Sequence, residues 1–96
     1  MKLKELSEMF KALGHETRIQ ILEHLRTPSQ PVSPGAISSS IKVDYEVVHY
    51  HCEKLRDAGL IVREGKSHPL YALDTKPLRV MEEWLSKRGY KNAQTK

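Results

Sequence analysis

One cysteine, Cys52, in 96 residues leaves no intrachain disulfide to hold the fold. Packing must do that work, and a reducing, cytoplasmic setting is expected. No run approaches the roughly 20 apolar residues of a membrane span, so an integral membrane protein is not expected. The N-terminal stretch MKLKELSEMFKAL carries acids every few residues and no continuous apolar segment, unlike a secretory signal. A glycine-rich phosphate loop and an HExxH pair are both missing, and Cys52 has no triad context. Enzymatic activity therefore finds little support and is not expected. Aromatic residues make up only 6%, yet 39% of the chain is apolar and 29% charged. That is an ordinary globular composition, too apolar for a disordered chain. The length suits a single domain with one modest core and a large exposed surface, which dimerisation would help to cover.

Charge is present but unevenly spread. The formal net charge of +4 invites a nucleic-acid partner. Residues 1–41 hold five Lys/Arg against four Asp/Glu, residues 42–75 five against six, and residues 76–96 six against two. The excess thus sits at the C-terminal end, and the middle of a single chain is no electrostatic clamp.

Apolar spacing orders the elements. Leu3, Leu6, Phe10 and Leu13 form a helical stripe widened by Met9, either core or a seam to a partner helix. A second helix is expected from His15 to Arg26, with Ile19, Leu22 and Leu25 on one face. TPSQPVSPG is a proline-rich loop whose end starts a helix. There Ser33 is the N-cap, and Pro34 takes the first helical position, where its missing N–H is not needed. The third helix, Pro34 to Ile41, contains Ser38, Ser39 and Ser40, suited to close packing or to phosphate contacts. Asp44 is the expected N-cap of a fourth helix, Tyr45 to Ala58, and Gly59 stands just past its end. At 100° per residue, Val47, Val48, His51, Leu55 and Ala58 share one face with Cys52 at its edge. Glu46, His49, Tyr50, Glu53 and Asp57 lie opposite; Tyr45, Lys54 and Arg56 flank. Strands are expected at Leu60–Glu64 and Leu70–Leu73, joined by Gly65–Pro69. Thr75 is the expected N-cap of a last helix, Pro77 to Arg88, striped by Leu78, Met81 and Leu85, with Val80 and Trp84 beside them. Gly89 ends it, and residues 90–96 read as a flexible tail.

Helices, a hairpin, then a helix predict a mainly α fold with a small β-hairpin: a winged helix-turn-helix over residues 1–89. Such a unit lays its second helix in the DNA major groove. The motifs strengthen that reading. ALGHETRIQILEHL, SPGAISSSIKVDYEVVHYHCEKLRDAGLI and VREGKSHPLYAL stand in the order and spacing of an early helix, a helix-turn-helix and a wing. Together they resemble the ArsR-type winged-helix transcriptional regulators over roughly residues 12–73, about two-thirds of the chain. The resemblance implies a homodimeric, sequence-specific DNA-binding regulator, most simply a repressor, with its first and last helices at the dimer interface. Leu3, Leu6, Phe10, Leu78, Met81, Trp84 and Leu85 fit that interface.

On this reading Tyr45, Glu46, His49 and Tyr50 are the candidates for base contact, joined by Lys54 on the flank of the same face. His49 can donate to guanine or accept from an amino group, Glu46 can accept from cytosine N4, and tyrosine hydroxyls more often reach phosphate. The resembled family usually has a small hydroxyl residue where His49 stands, so its base preference does not carry over. Glu46 and Glu53 would repel phosphate, or else act against wrong sites. Arg63, Lys66 and His68 suit backbone or minor-groove contact from the wing, and Ser33 suits a phosphate hydrogen bond. The bland alternatives are a solvated helix face and an ordinary hairpin turn. No cofactor and no metal are expected. His49 and His51 point about 200° apart, and the family's Cys-x-Cys pair and its last-helix ligands are missing, only Glu82 and Glu83 being there. Cys52 is either a buried, inert thiol or a redox switch. A winged-helix assembly module that binds protein rather than specific DNA is the second functional class, favoured by the near-neutral middle section.

Overall fold

The computed structural model describes residues 2–88. Five helices and one hairpin follow in order: α1 Leu3–Leu13, α2 Glu16–Leu25, α3 Pro34–Ile41, α4 Tyr45–Asp57, β1 Ile61–Glu64, β2 Leu70–Leu73 and α5 Thr75–Arg88. The expected fold class is the observed one. Gly89 and the tail at 90–96 lie outside the described residues.

Local chemistry sets the boundaries. His15, expected inside α2, instead caps it: its Nδ1 accepts a 3.3 Å hydrogen bond from the Thr17 N–H. Ser33 caps α3 as expected, its Oγ accepting from the Ala36 N–H at 3.1 Å, with Pro34 in the first turn. The turn between α3 and α4 uses Lys42 at a left-handed φ of 61°. It is held by the Ser38 hydroxyl donating to the Val43 carbonyl at 2.6 Å. Ser38 therefore serves the turn, while Ser39 and Ser40 are exposed.

Asp44 occupies the N-cap position of α4, but its side chain makes no capping hydrogen bond. At the other end the Gly59 and Leu60 N–H groups donate to the Arg56 and Leu55 carbonyls at 2.9 and 3.0 Å. This double closure needs a left-handed residue, and Gly59 supplies it at φ +84°. Helix α5 starts two residues earlier than expected. Asp74, not Thr75, provides the cap, accepting from the Lys76 N–H at 3.1 Å.

The hairpin is antiparallel, pairing Ile61 with Leu73 and Arg63 with Tyr71. A third segment joins it. Val32, just before α3, exchanges two backbone hydrogen bonds with Tyr71, at 2.7 and 2.8 Å. Tyr71 is thereby fixed from two sides and fully buried, in one cluster with Ile21, Ile37, Val48, Leu55, Leu60 and Ile61. This cluster ties helix-turn-helix and hairpin into one body.

The buried arc of α4 is shifted from the expected one. Val48, His51, Cys52 and Leu55 are buried, so Cys52 is core rather than edge. Val47 is 42% exposed, a correction to the expected face. It sits about 90° off the arc's centre at helical spacing, beyond the reach of α2 and β1 packing.

Candidate nucleic-acid interface

Helix α4 packs against α1, α2, α3 and β1 and leaves much of its N-terminal surface open. Tyr45, Val47 and Tyr50 are exposed at 49%, 42% and 54%, in the helix's N-terminal half. Two contacts order this surface. The Tyr45 and His49 rings stack one turn apart, 9° from parallel with centroids 6.1 Å apart. The Lys54 ammonium lies 5.5 Å from the centre of the Tyr50 ring. Glu46 is exposed between the pairs. Five of the nominated residues thus share one open helix surface with their side chains partly ordered.

Glu53 is not the free acid expected. Its carboxylate accepts from Arg56 Nη1 and Arg63 Nη1, both at 2.9 Å, and from the Tyr71 hydroxyl. Burial disfavours its charge, but the Tyr71 hydrogen bond, the Arg63 charge and the arginine hydrogen bonds outweigh that and hold it below the ordinary 4.5. Burial, together with the same carboxylate, pushes the Tyr71 hydroxyl up. Glu53 therefore presents an already compensated charge, which removes one of the two phosphate-repelling acids suspected on this face.

In the wing, Arg63 donates from Nε to the Gly65 carbonyl at 3.1 Å and from Nη2 to the Lys66 carbonyl at 2.8 Å. Gly65 has φ +81°, and a Cβ there would stand 2.7 Å from the His68 carbonyl oxygen. Only glycine fits so tight a turn. The Lys66 and His68 side chains are exposed at the tip.

Behind α4, Arg18 Nε donates to His51 Nδ1 at 3.0 Å, and Arg18 Nη1 reaches the Ala12 carbonyl at 3.3 Å. The His15 ring lies 4.3 Å from the His51 ring. Burial foremost, then the His15 and Arg18 charges, lower the His51 pKa. Sequence reading missed both this cluster and the Glu53 hub. The Glu53/Arg56 pair at helical spacing was the one visible signal; Arg63, Tyr71 and Arg18 come from other elements.

Cys52 is fully buried, and burial pushes its thiol up to about 12. A thiol so protonated is a poor nucleophile, which favours the inert reading over the redox one. Among the described residues no three His, Cys, Asp or Glu side chains gather to share a metal. His51 faces inward and His49 outward.

The seven residues nominated for a dimer seam divide by exposure. Leu6 and Met81 are buried within the chain's own core, at 7% and 4%. Phe10, Leu78 and Trp84 are partly buried, with the Phe10 and Trp84 rings 5.9 Å apart. Leu3 and Leu85 stand 74% and 52% exposed. Leu3, Leu6, Ser7, Phe10, Trp84 and Leu85 line one shallow apolar groove between α1 and α5. Among the described residues no helix is long and apolar enough to cross a membrane.

Comparison with known proteins agrees with this geometry. A family model described as a helix-turn-helix domain matches residues 13–64, more than half of the chain. An uncharacterized HTH-type transcriptional regulator of Bacillus subtilis, YceK, is 29% identical over 65 residues, covering 68% of this chain and 65% of that protein. This match thus spans just under two-thirds of the relative's length. An ArsR-like transcriptional regulator from Rhodococcus sp. RHA1 has the same fold, with a TM-score of 0.77 at 22% identity over 96% of this chain and 86% of that one. So does the homodimeric winged helix-turn-helix DNA-binding domain of Mb0332 from Mycobacterium bovis. That domain is a possible ArsR-family regulator, with a TM-score of 0.71 at 18% identity over 90% and 80% of the two chains.

Proposed function

We propose that this chain, which belongs to the helix-turn-helix domain family whose model matches residues 13–64, acts as an ArsR-type regulator: a homodimeric, sequence-specific DNA-binding repressor in the cytoplasm. The observation that carries the reading is the open surface of α4, with its paired Tyr45/His49 and Tyr50/Lys54 side chains beside a basic-tipped hairpin. In this reading α4 enters the major groove. His49 and Glu46 meet base edges, exposed Val47 offers an apolar contact to a thymine methyl, and the two tyrosines and Lys54 reach phosphate. Lys66 and His68 touch the backbone or the minor groove from the wing, and the Ser33 hydroxyl, although it caps α3, keeps a proton to donate to phosphate. Arg63 supports the wing from behind.

Dimerisation through α1 and α5 sets two such helices one helical turn of DNA apart, so the operator is an inverted repeat. The homodimeric state of the Mycobacterium bovis domain supports this assembly. A repressor is the simplest output, because a dimer seated across two half-sites blocks access to them. No cofactor or metal is needed for any of these contacts.

Selection of random duplexes at moderate salt tests the proposal, with wild type and a His49→Ala, Tyr50→Ala variant side by side. The expected result is an enriched inverted repeat with half-sites about 10 base pairs apart, lost in the variant. No enrichment by a folded dimer would overturn it and favour the assembly-module alternative.

A further inference from the structure

We propose that Glu53 is a positioning residue that fixes the wing against the recognition helix, acting through Arg63. The inference rests on the DNA-binding reading and adds to it the part that sets wing placement. Glu53 belongs to α4, Arg63 to β1, Tyr71 to β2, and the two carbonyls that Arg63 also holds belong to the turn. One carboxylate therefore links the helix to both strands, and one guanidinium carries that link on to the tip.

The geometry separates this role from direct DNA contact. Three of the five N–H donors of Arg63 point to Glu53, Gly65 and Lys66. Its side chain is only 22% exposed, and that of Glu53 26%. A guanidinium so engaged has little left for phosphate. Lys66, by contrast, gives its carbonyl to Arg63 and leaves its ammonium free at the surface. The turn itself is tight, since Gly65 at φ +81° brings its backbone against the His68 carbonyl. A short rigid turn held at two carbonyls moves as one unit with β1. Its angle to α4 is then set where β1 meets the helix, at the Glu53–Arg63 pair. On DNA this fixes how far the Lys66 charge stands from the backbone when α4 is seated.

Arg63→Lys is the discriminating substitution. It keeps the charge, but an ammonium has no fork that spans the carboxylate and two carbonyls together. Glu53→Gln, similar in shape, is its companion. Each is made in the full chain, alone and with Lys66→Ala. Affinity for the selected duplex is measured across a salt series, and amide hydrogen exchange of residues 64–70 is followed without DNA. Positioning predicts that Arg63→Lys and Glu53→Gln each lower the salt slope by about one, as loss of one phosphate contact does. It also predicts that Lys66→Ala costs nothing further in either background. Wing amides exchange faster in both variants, while those of α2 and α3 keep wild-type protection. An unchanged slope in Arg63→Lys, with the full Lys66→Ala loss still present, overturns the proposal and leaves Arg63 a simple charge. Faster exchange throughout the chain overturns it too, since the pair would then hold the whole fold. Wild-type protein without affinity for any duplex removes the DNA reading itself and this role with it, an outcome distinct from the other two.

Discussion

Replacing Leu3 and Leu85 by glutamate is expected to leave a folded monomer and to weaken binding to an inverted-repeat duplex about 100-fold or more. Leu3 and Leu85 are the nominated seam residues that the chain's own core does not use, at 74% and 52% exposure. Charges there cost the protomer little, because both positions already face water. In a dimer they would bring like charges into an apolar groove lined by Phe10 and Trp84, where burial of an unpaired carboxylate is strongly unfavourable. The effect on DNA follows from linkage of the two reading heads. Once one half-site is bound, the second is met at an effective concentration set by the dimer, a gain of about 100- to 10,000-fold over separate heads. Sedimentation velocity and fluorescence anisotropy measure both consequences. A double variant that still sediments as a dimer and binds as wild type would place the seam elsewhere. By the same reasoning Leu6→Ala and Met81→Ala act first on stability, since those side chains are buried within the protomer.

Acidification is expected to lower thermal stability as pH falls below about 6.5, with His51 as a source. In the native state Arg18 donates to His51 Nδ1, so that nitrogen is unprotonated and the ring is neutral. Protonation would place a second donor against the guanidinium, with the His15 ring 4.3 Å away and the Tyr50 ring at 5.3 Å. Burial, then His15 and Arg18, hold the folded-state pKa below the ordinary 6.5. The unfolded chain therefore binds more protons between the two values. Stability is complete above 6.5 and is lost as pH falls from there toward the folded-state pKa. His51→Asn isolates the effect, because the amide oxygen replaces Nδ1 as acceptor but does not titrate. Melting temperatures from pH 8 to 5 should show a shallower slope in this variant than in wild type. Equal slopes would assign the acid sensitivity to other groups. His51 lies in the middle of α4, so the same proton acts on the helix proposed to read DNA.

Much of this fold was legible in residue spacing. The boundaries of α1, α3 and β2 follow from apolar periodicity and from Ser33–Pro34, because those signals are local. Where the reading missed, a longer-range partner decided. His15 read as helical yet serves as a cap, since its imidazole nitrogen can do what a hydroxyl does. Asp74 took the cap expected of Thr75, and α5 gained two residues. The Val32–Tyr71 bridge left no trace in the loop TPSQPVSPG, because a single bridging residue has no periodicity. Val47 lies at the rim of a wide apolar arc on α4, and packing selects the Val48, His51, Cys52 and Leu55 side of that arc instead. The site divides in the same way. The exposed face of α4 can be drawn from angles alone, which places Tyr45, Glu46, His49, Tyr50 and Lys54 on it. The bonds of Arg63 to Glu53 and of Arg18 to His51 join residues 10 and 33 apart in sequence. No local pattern encodes such pairs.

The proposed DNA-binding surface is α4 together with the wing. Titrating isotope-labelled protein with a selected inverted-repeat duplex, and following every backbone amide by NMR, tests it directly. The largest shifts are expected at residues 45–54 and 65–68, with the α1–α5 groove unmoved, because the proposed dimer forms before DNA binds. Shifts concentrated on α2 or α5, or a spectrum unchanged by a duplex that binds, would place the DNA-binding surface elsewhere.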